Sequence, residues 1–327
     1  MSAKKIFVVF GATGNQGGGV INAILDDPKA SQEFALRGIT RDPNSGKAKA
    51  LAAKGVECVT GDINDKASLS NAFKGAHSVF AVTNYWEKMD DRLEVQQGKN
   101  VADVAKVRNT GSYMINTHVP QEAGVKHLIF STLINVTKLS NGKYKNVFHF
   151  DSKAEIEQYI RGTGIPASFF MPGFYMSNLE TMINPNPQSK ALTLALPMPP
   201  TTPIPFFDAA VDSGKFVKAM VTKPDQVLGK NVFAATKYYT AEEVIKIFNE
   251  VKKPEPAAQF YPPDKDTYKG YLTGAGMPEF AAEELYENMA FMNEFGYYGK
   301  QSLDWSHSLL DDKPTTLEEF FASSKKW

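Results

Sequence analysis

The chain has 327 residues, 43% of them hydrophobic, and its 36 acidic and 36 basic side chains cancel to a formal charge of zero. Such a length and apolar content can bury a sizeable core, and a neutral balance supplies no global field toward nucleic acid or an anionic membrane, so neither is an expected direct partner. A single cysteine, Cys58, excludes an internal disulfide; with no signal-like apolar segment and no run of the ~18 apolar residues that span a bilayer, a soluble intracellular protein is expected.

A strand at 6–10 leads into a helix that runs to about residue 25, and strands at 34–40, 57–60, 77–82, 128–131 and 167–171 then alternate with helices at 45–54, 66–73, 91–106 and 151–161. This alternation predicts right-handed βαβ crossovers and an α/β fold, a Rossmann-type doubly wound parallel sheet. The runs IFVVF and SVFAV are apolar without alternation, as burial on both faces demands. Cys58, in GVECVTG, is expected to pack as a buried small hydrophobe.

Between the helix ADVAK and the stretch EAGVKHLIF lies VRNTGSYMINTHVPQ, residues 107–121, which has neither helical nor strand period. Without it the helix would pass into the next strand through the short connection usual for an αβ unit. It is either a family-specific surface loop or the translation of a retained intron, since Val-Arg and Gln can be encoded by the ends of an intron. Deleting residues 107–121 should leave folding intact or improved; a deletion that unfolds the protein would refute an insertion of either kind.

Beyond residue 172 the proline-rich stretch NPNPQSKALTLALPMPPTTPIPFF predicts loops and short strands. A helix at 209–222, a strand in GKNVFAAT and a helix opening TAEEVIKIF, with Thr240 and Glu243 as a capping box, are expected to return to the sheet. The expected division is therefore a Rossmann-type domain at 1–172 rejoined by 205–253, and a smaller α/β C-terminal lobe from 173–204 and 254–327. No internal repeat is present.

Directly after the first strand stands GATGNQG. Gly11 suits a tight turn, Gly14 a close backbone approach to a pyrophosphate and Gly17 tight packing of helix on strand, and the helix start offers free N–H donors to phosphates. Ala12, Thr13, Asn15 and Gln16 complete this candidate cofactor-binding loop. The end of the second strand selects the nucleotide, because a carboxylate there accepts the ribose 2′-hydroxyl whereas an arginine meets a 2′-phosphate. GITRDP places Arg41 there, with Lys47 a second cation and Asp42 an opposing charge, which favours NADP(H). At the next two strand ends, Asp62 and Ile63 are expected to flank the adenine, and Val82, Thr83 and Asn84 to approach the nicotinamide ribose. Tyr85 and Trp86 beside them are either a packing plug or a lid.

The ordered set GATGNQGGGV, TRDP, GDIND, VTNYWE, HFDSK and PGFYMSN resembles the NmrA-like family of atypical short-chain dehydrogenase/reductases, nearest its NADPH-sensor branch, and covers nearly the whole chain. The resemblance implies a Rossmann domain with a smaller lobe, NADP(H) binding and a regulatory protein partner, in the cytoplasm or nucleus, with isoflavone-reductase-like relatives as true reductases. It also implies that Pro172, Gly173, Phe174 and Tyr175, followed by Asn178, shield the nicotinamide, and that Ser131 and Thr132 take the family's serine position. The short-chain reductase pair Tyr-x-x-x-Lys corresponds to HFDSK, where Lys153 is kept and His149 stands in place of the tyrosine proton donor. His149 is either a helix-start residue that packs or an imidazole acid. Tyr144 lies too far back to inherit the geometry. The missing tyrosine puts a nonenzymatic NADP(H)-binding regulator first; the alternative is an NADPH-dependent reductase of a small hydrophobic carbonyl or enone. No metal site is expected.

Overall fold

The computed structural model describes residues 3–106, 124–186 and 189–327; the expected insertion at 107–121 lies outside the described residues. The first half runs β1 (Lys5–Val9), α1 (Asn15–Asp26), α2 (Pro28–Glu33), β2 (Phe34–Thr40), α3 (Gly46–Ala53), β3 (Glu57–Thr60), α4 (Lys66–Ala72), β4 (Ala76–Ala81) and α5 (Asp91–Ala105). From residue 124 onward come β5 (His127–Ser131), α6 (Val136–Leu139), α7 (Phe148–Thr163) and β6 (Ala167–Pro172). The remainder comprises β7 (Phe174–Tyr175), α8 (Leu179–Met182), β8 (Ile183–Pro185), β9 (Leu192–Ala195), β10 (Ile204–Phe207), α9 (Asp212–Thr222), α10 (Pro224–Val227), β11 (Asn231–Ala234) and β12 (Lys237–Tyr239). It closes with α11 (Ala241–Lys252), β13 (Gln259–Tyr261), α12 (Lys265–Gly274), α13 (Glu279–Phe295), α14 (Asp304–Ser308) and α15 (Leu317–Ser323).

The seven-stranded sheet is parallel throughout, in the order β3-β2-β1-β4-β5-β6-β11, and is Rossmann-like. Strand period explains its two covered faces. Phe7 and Val9 of β1 point into one core with Val20, Ile21 and Ile24 of α1 and Phe216 and Met220 of α9. Val8 and the adjoining Phe10 enter the other, against Leu69 of α4, Val101 of α5 and Ile156 of α7. Cys58 departs from the expected burial: it is only partly covered, because β3 is the edge strand of the sheet, and its thiol donates to the Ala48 carbonyl at 3.4 Å.

Helices α1 and α9 touch through glycines. A Cβ built on Gly214 would lie 2.3 Å from the Gly19 carbonyl oxygen, which is backbone and cannot swing away. Gly214→Ala should therefore force the helices apart and cost about 1–3 kcal/mol, visible as a lowered urea midpoint; an unchanged midpoint would show that the crossing has slack.

The smaller lobe holds the antiparallel pair β10–β12 with β7 parallel on its other side, a second small sheet β13-β9-β8, and helices over both. Helix α11 carries the Thr240–Glu243 capping box. Its buried face, Val244, Ile245 and Phe248, joins Leu317 and Phe321 in the core of the smaller lobe, and α11 packs on α15. Within 205–253, β11 joins the seven-stranded sheet and α9 shares its core through Phe216 and Met220, whereas β12 and α11 turn apolar faces to the aromatic core of the smaller lobe and β10 divides, Phe206 entering that core and Phe207 the sheet's. Among the described residues no helix is long and apolar enough to cross a membrane.

Candidate functional site

Neighbours β1 and β4 send their connections in opposite directions, and the crevice at their carboxyl ends is where a doubly wound sheet takes ligands. The loop from Gly11 to Gly17 is strung there between strands: Phe10 N–H donates to Phe80 O at 2.9 Å and Ala12 N–H to Ile39 O at 3.2 Å. Gly11 turns the chain at φ +60°, a left-handed conformation that favours glycine. On Gly17 a Cβ would meet the carbonyl oxygens of Phe10 and Gly11 at 2.2 and 2.4 Å, so only glycine fits where α1 leaves the turn. Gly14 caps α1 and no side chain satisfies the first-turn amides, which are left as donors facing the crevice. Thr13 and Asn15 line the crevice, whereas Ala12 is buried beneath it. The Gln16 amide donates to the Tyr175 hydroxyl, and the Gln16 carbonyl oxygen is buried with no partner among the described residues.

A cleft of about 1860 Å³ follows the strand ends from this loop to the smaller lobe. It is lined by Arg41, Asp42 and Lys47 after β2, by Asp62 and Ile63 after the edge strand β3, and by Val82, Thr83 and Asn84 after β4. Arg41 is 89% exposed and, among the described residues, pairs only with Glu87, at 3.3 Å. The carboxylates of Asp42 and Asp62 are occupied by local turns, accepting from the Asn44 and Asn64 backbone amides at 2.8 and 2.9 Å. Ser131 lines the cleft, but Thr132 does not: it is fully buried and its hydroxyl donates to the Lys153 carbonyl at 3.1 Å. Pro172, Gly173, Phe174, Tyr175 and Asn178 form the wall toward the smaller lobe. Tyr144 faces elsewhere, donating to Glu294 at 2.9 Å.

Helix α7 begins at Phe148, earlier than its expected start at 151, so His149 occupies the first turn and Lys153 the next on the same face. Lys153 donates to the Thr83 hydroxyl at 3.1 Å and pairs with Glu94, a carboxylate only 1% exposed that also accepts from Ser152. Glu284, fully buried on α13, accepts from the Tyr85 hydroxyl at 2.7 Å, from His149 N–H at 2.7 Å and from His149 Nδ1 at 2.6 Å. Burial, and then the bond to Glu284, hold the Tyr85 phenol far above its usual pKa. Tyr85 is thus an internal strut, while Trp86 lies against the His149 ring at 4.9 Å.

Neither Glu94 nor Glu284 was expected. Both had a signal, since each sits on the inward stripe of its helix: Glu94 with Gly98, Val101 and Ala105, and Glu284 with Ala281, Asn288 and Met292. A carboxylate in such a stripe needs a buried partner. Beyond His149 the cleft becomes apolar, walled by Leu133, Phe150, Leu272, Leu285 and Met289.

The model of the NmrA-like family matches residues 3–321. An NmrA-like family domain-containing protein of Dictyostelium discoideum is 29% identical, the match covering 97% of each chain. An NmrA-like family domain-containing oxidoreductase of Malbranchea aurantiaca is 31% identical, over 76% of this chain and 74% of its own. Among solved structures, NmrA, a negative transcriptional regulator, in complex with NADP superposes with a TM-score of 0.78 at 20% identity, over 98% of this chain and 95% of that one. At that identity the likeness concerns the fold.

Proposed function

This chain belongs to the NmrA-like family, and from that premise we propose that it binds NADP(H) and reduces a small apolar carbonyl compound seated between its two lobes. The observation that carries this is the size and division of the cleft. About 1860 Å³ exceeds the ~300–1,000 Å³ of an ordinary ligand pocket, and its polar tract along the strand ends gives way to an apolar chamber. One ligand does not account for both parts. The Malbranchea relative, named an oxidoreductase, agrees with this reading.

The residues present fit a dinucleotide: a tight turn at Gly11 against which Gly17 packs with no room for a Cβ, uncapped amides on α1, and the orphaned side-chain oxygen of Gln16. Gly11, Thr13, Gly14, Asn15 and Gly17 would hold the pyrophosphate, Arg41 and Lys47 the 2′-phosphate, and Asp62 and Ile63 the adenine end. Val82, Thr83, Asn84 and Lys153 would hold the nicotinamide ribose, with residues 172–175 behind the ring. When bound, the dihydronicotinamide supplies hydride. The chain's part is to exclude water with the smaller lobe and to fix Lys153 through Glu94 and Thr83.

Arg41→Ala should lower NADPH affinity roughly ten- to a hundredfold while leaving NADH affinity nearly unchanged, because only the phosphate receives a charge-assisted bond. Titration of both cofactors checks this, and equal wild-type affinities would remove NADP(H) preference. The regulator reading retains one observation: the Arg41–Glu87 pair ties the loops after β2 and β4 together, and a phosphate competing for Arg41 would free the second loop to meet a protein partner. NADPH oxidation with naphthaldehyde, cyclohexenone and naphthoquinone, beside partner capture with and without NADPH, separates the two. Turnover establishes the reductase; cofactor-dependent capture without turnover establishes the regulator.

A further inference from the structure

His149 and Lys153 both face the cleft, and the His149 ring is held from three sides. Its Nδ1 lies 2.6 Å from Glu284 Oε1, Trp86 packs at 4.9 Å and Phe150 at 4.8 Å. Glu284 comes from the opposite lobe and has no exposed surface, so its charge is met by the donors around it: the Tyr85 hydroxyl, the His149 amide and the His149 ring. A carboxylate at this site fixes the proton on Nδ1 and orients the ring. Nε2 is the remaining polar atom of the ring, and it has no protein partner among the described residues.

We propose that His149 Nε2 is the proton donor of the reduction, with Glu284 as its positioning residue, and that the group reduced is a carbonyl on an otherwise apolar body. This deepens the reductase reading and rests on it. Tyr85 does not fill the role, since its hydroxyl is turned to Glu284 and burial holds it protonated. The titratable groups around the ring are Glu284 on α13, Tyr85 on the loop after β4, and Asp151 and Lys153 on α7. Asp151 is engaged elsewhere, accepting from the Val136 amide at 2.6 Å. Asn288, one turn along α13 from Glu284, also lines the cleft, and its carboxamide nitrogen is buried without an acceptor among the described residues. A substrate oxygen there would gain a second donor. The walls of Leu133, Leu272, Leu285 and Met289 suit the hydrocarbon that carries the carbonyl.

The step balances: the carbonyl carbon receives hydride from the dihydronicotinamide, the π pair passes to the oxygen, and that oxygen takes the proton from Nε2. An alcohol and a neutral imidazole result, and the imidazole regains its proton from water at the cleft mouth.

The test uses the full chain with NADPH and naphthaldehyde. His149→Asn keeps an N–H donor toward Glu284 but has no proton to deliver, and should lower kcat about a hundredfold or more with KM and NADPH affinity changed less than about threefold. Glu284→Gln keeps the shape and removes the charge, and should lower kcat about tenfold. A readout independent of turnover is the low-field imidazole N–H resonance of the cofactor-free protein: present in the wild type, shifted upfield in Glu284→Gln and absent in His149→Asn. Wild-type kcat in His149→Asn, or a wild-type spectrum without that resonance, overturns the proposal while leaving the reductase reading in place. No turnover by the wild type overturns the reductase reading itself, and the donor role with it.

Discussion

Lys153→Met is expected to destabilise the protein by about 3–5 kcal/mol, because it leaves the Glu94 carboxylate buried without its cation. Glu94 is 1% exposed, and with Lys153 gone its carboxylate retains, among the described residues, only the Ser152 hydroxyl as a polar partner. Removing one member of a buried pair costs far more than removing both, since the charge left behind bears the full desolvation penalty. Glu94→Gln/Lys153→Met should therefore recover most of the loss, the glutamine oxygen still accepting from Ser152. Urea unfolding of the wild type, the single variant and the double variant measures both quantities. A single variant as stable as the wild type would mean that the pair carries no structural load. Loss of activity in Lys153→Met or Lys153→Ala accordingly has two sources, and only the double variant separates a missing ribose contact from a damaged fold.

The parallel sheet was legible because its chemistry is local. IFVVF and SVFAV are apolar on both faces, and each is followed by a helix that begins at a glycine turn or an aspartate cap. The glycine loop was legible for the same reason, since each glycine answers a steric demand made within seven residues of chain. The smaller lobe was not. Its strands are two to four residues long and pair with strands distant in sequence, Ile204 opposite Tyr239 and Phe206 beside Phe174, so no window of period 2 reports them. Helix signatures also passed unread in both parts of the chain: in the smaller lobe Thr316 and Glu319 form a capping box as Thr240 and Glu243 do, and beside the sheet Pro28 sits at the first turn of α2 behind an Asp27 cap.

The candidate site divides in the same way. The residues expected along the strand ends, Arg41, Asp62 and Thr83 among them, line one cleft together with Lys153. The groups that set the chemistry of Lys153 and His149 come from α5 and from α13, and Glu284 lies 135 positions from the histidine it holds. The absent tyrosine suggested a site without a donor; the Glu284 carboxylate that meets His149 across the lobe boundary is a contact that a one-turn motif cannot show. A polar residue inside an amphipathic stripe is the sequence feature that points to such a group, although the stripe does not name its partner.

A second large effect is expected on stability at acid pH, through a histidine remote from the cleft. His127 on β5 is buried in the sheet, its Nε2 2.7 Å from the Ser168 hydroxyl and its Nδ1 without a partner among the described residues. Burial, with a smaller push from the charge of His77, lowers its pKa from 6.5 to about 4. The folded chain thus prefers the neutral ring, whereas the unfolded chain takes up a proton near the ordinary value. This contribution is fully present above about pH 6.5 and is lost as pH falls toward 4, where it reaches about 3 kcal/mol. Carboxylates also titrate over the lower part of this window, so the comparison is made against His127→Gln, which can still bond Ser168 and does not titrate. Between pH 7 and pH 4.5 the wild type should lose about 2–3 kcal/mol more than His127→Gln, measured by urea unfolding at each pH. Stability curves that run parallel for the two proteins would show that the ring is protonated in the native state without cost, by water or an acceptor reaching Nδ1.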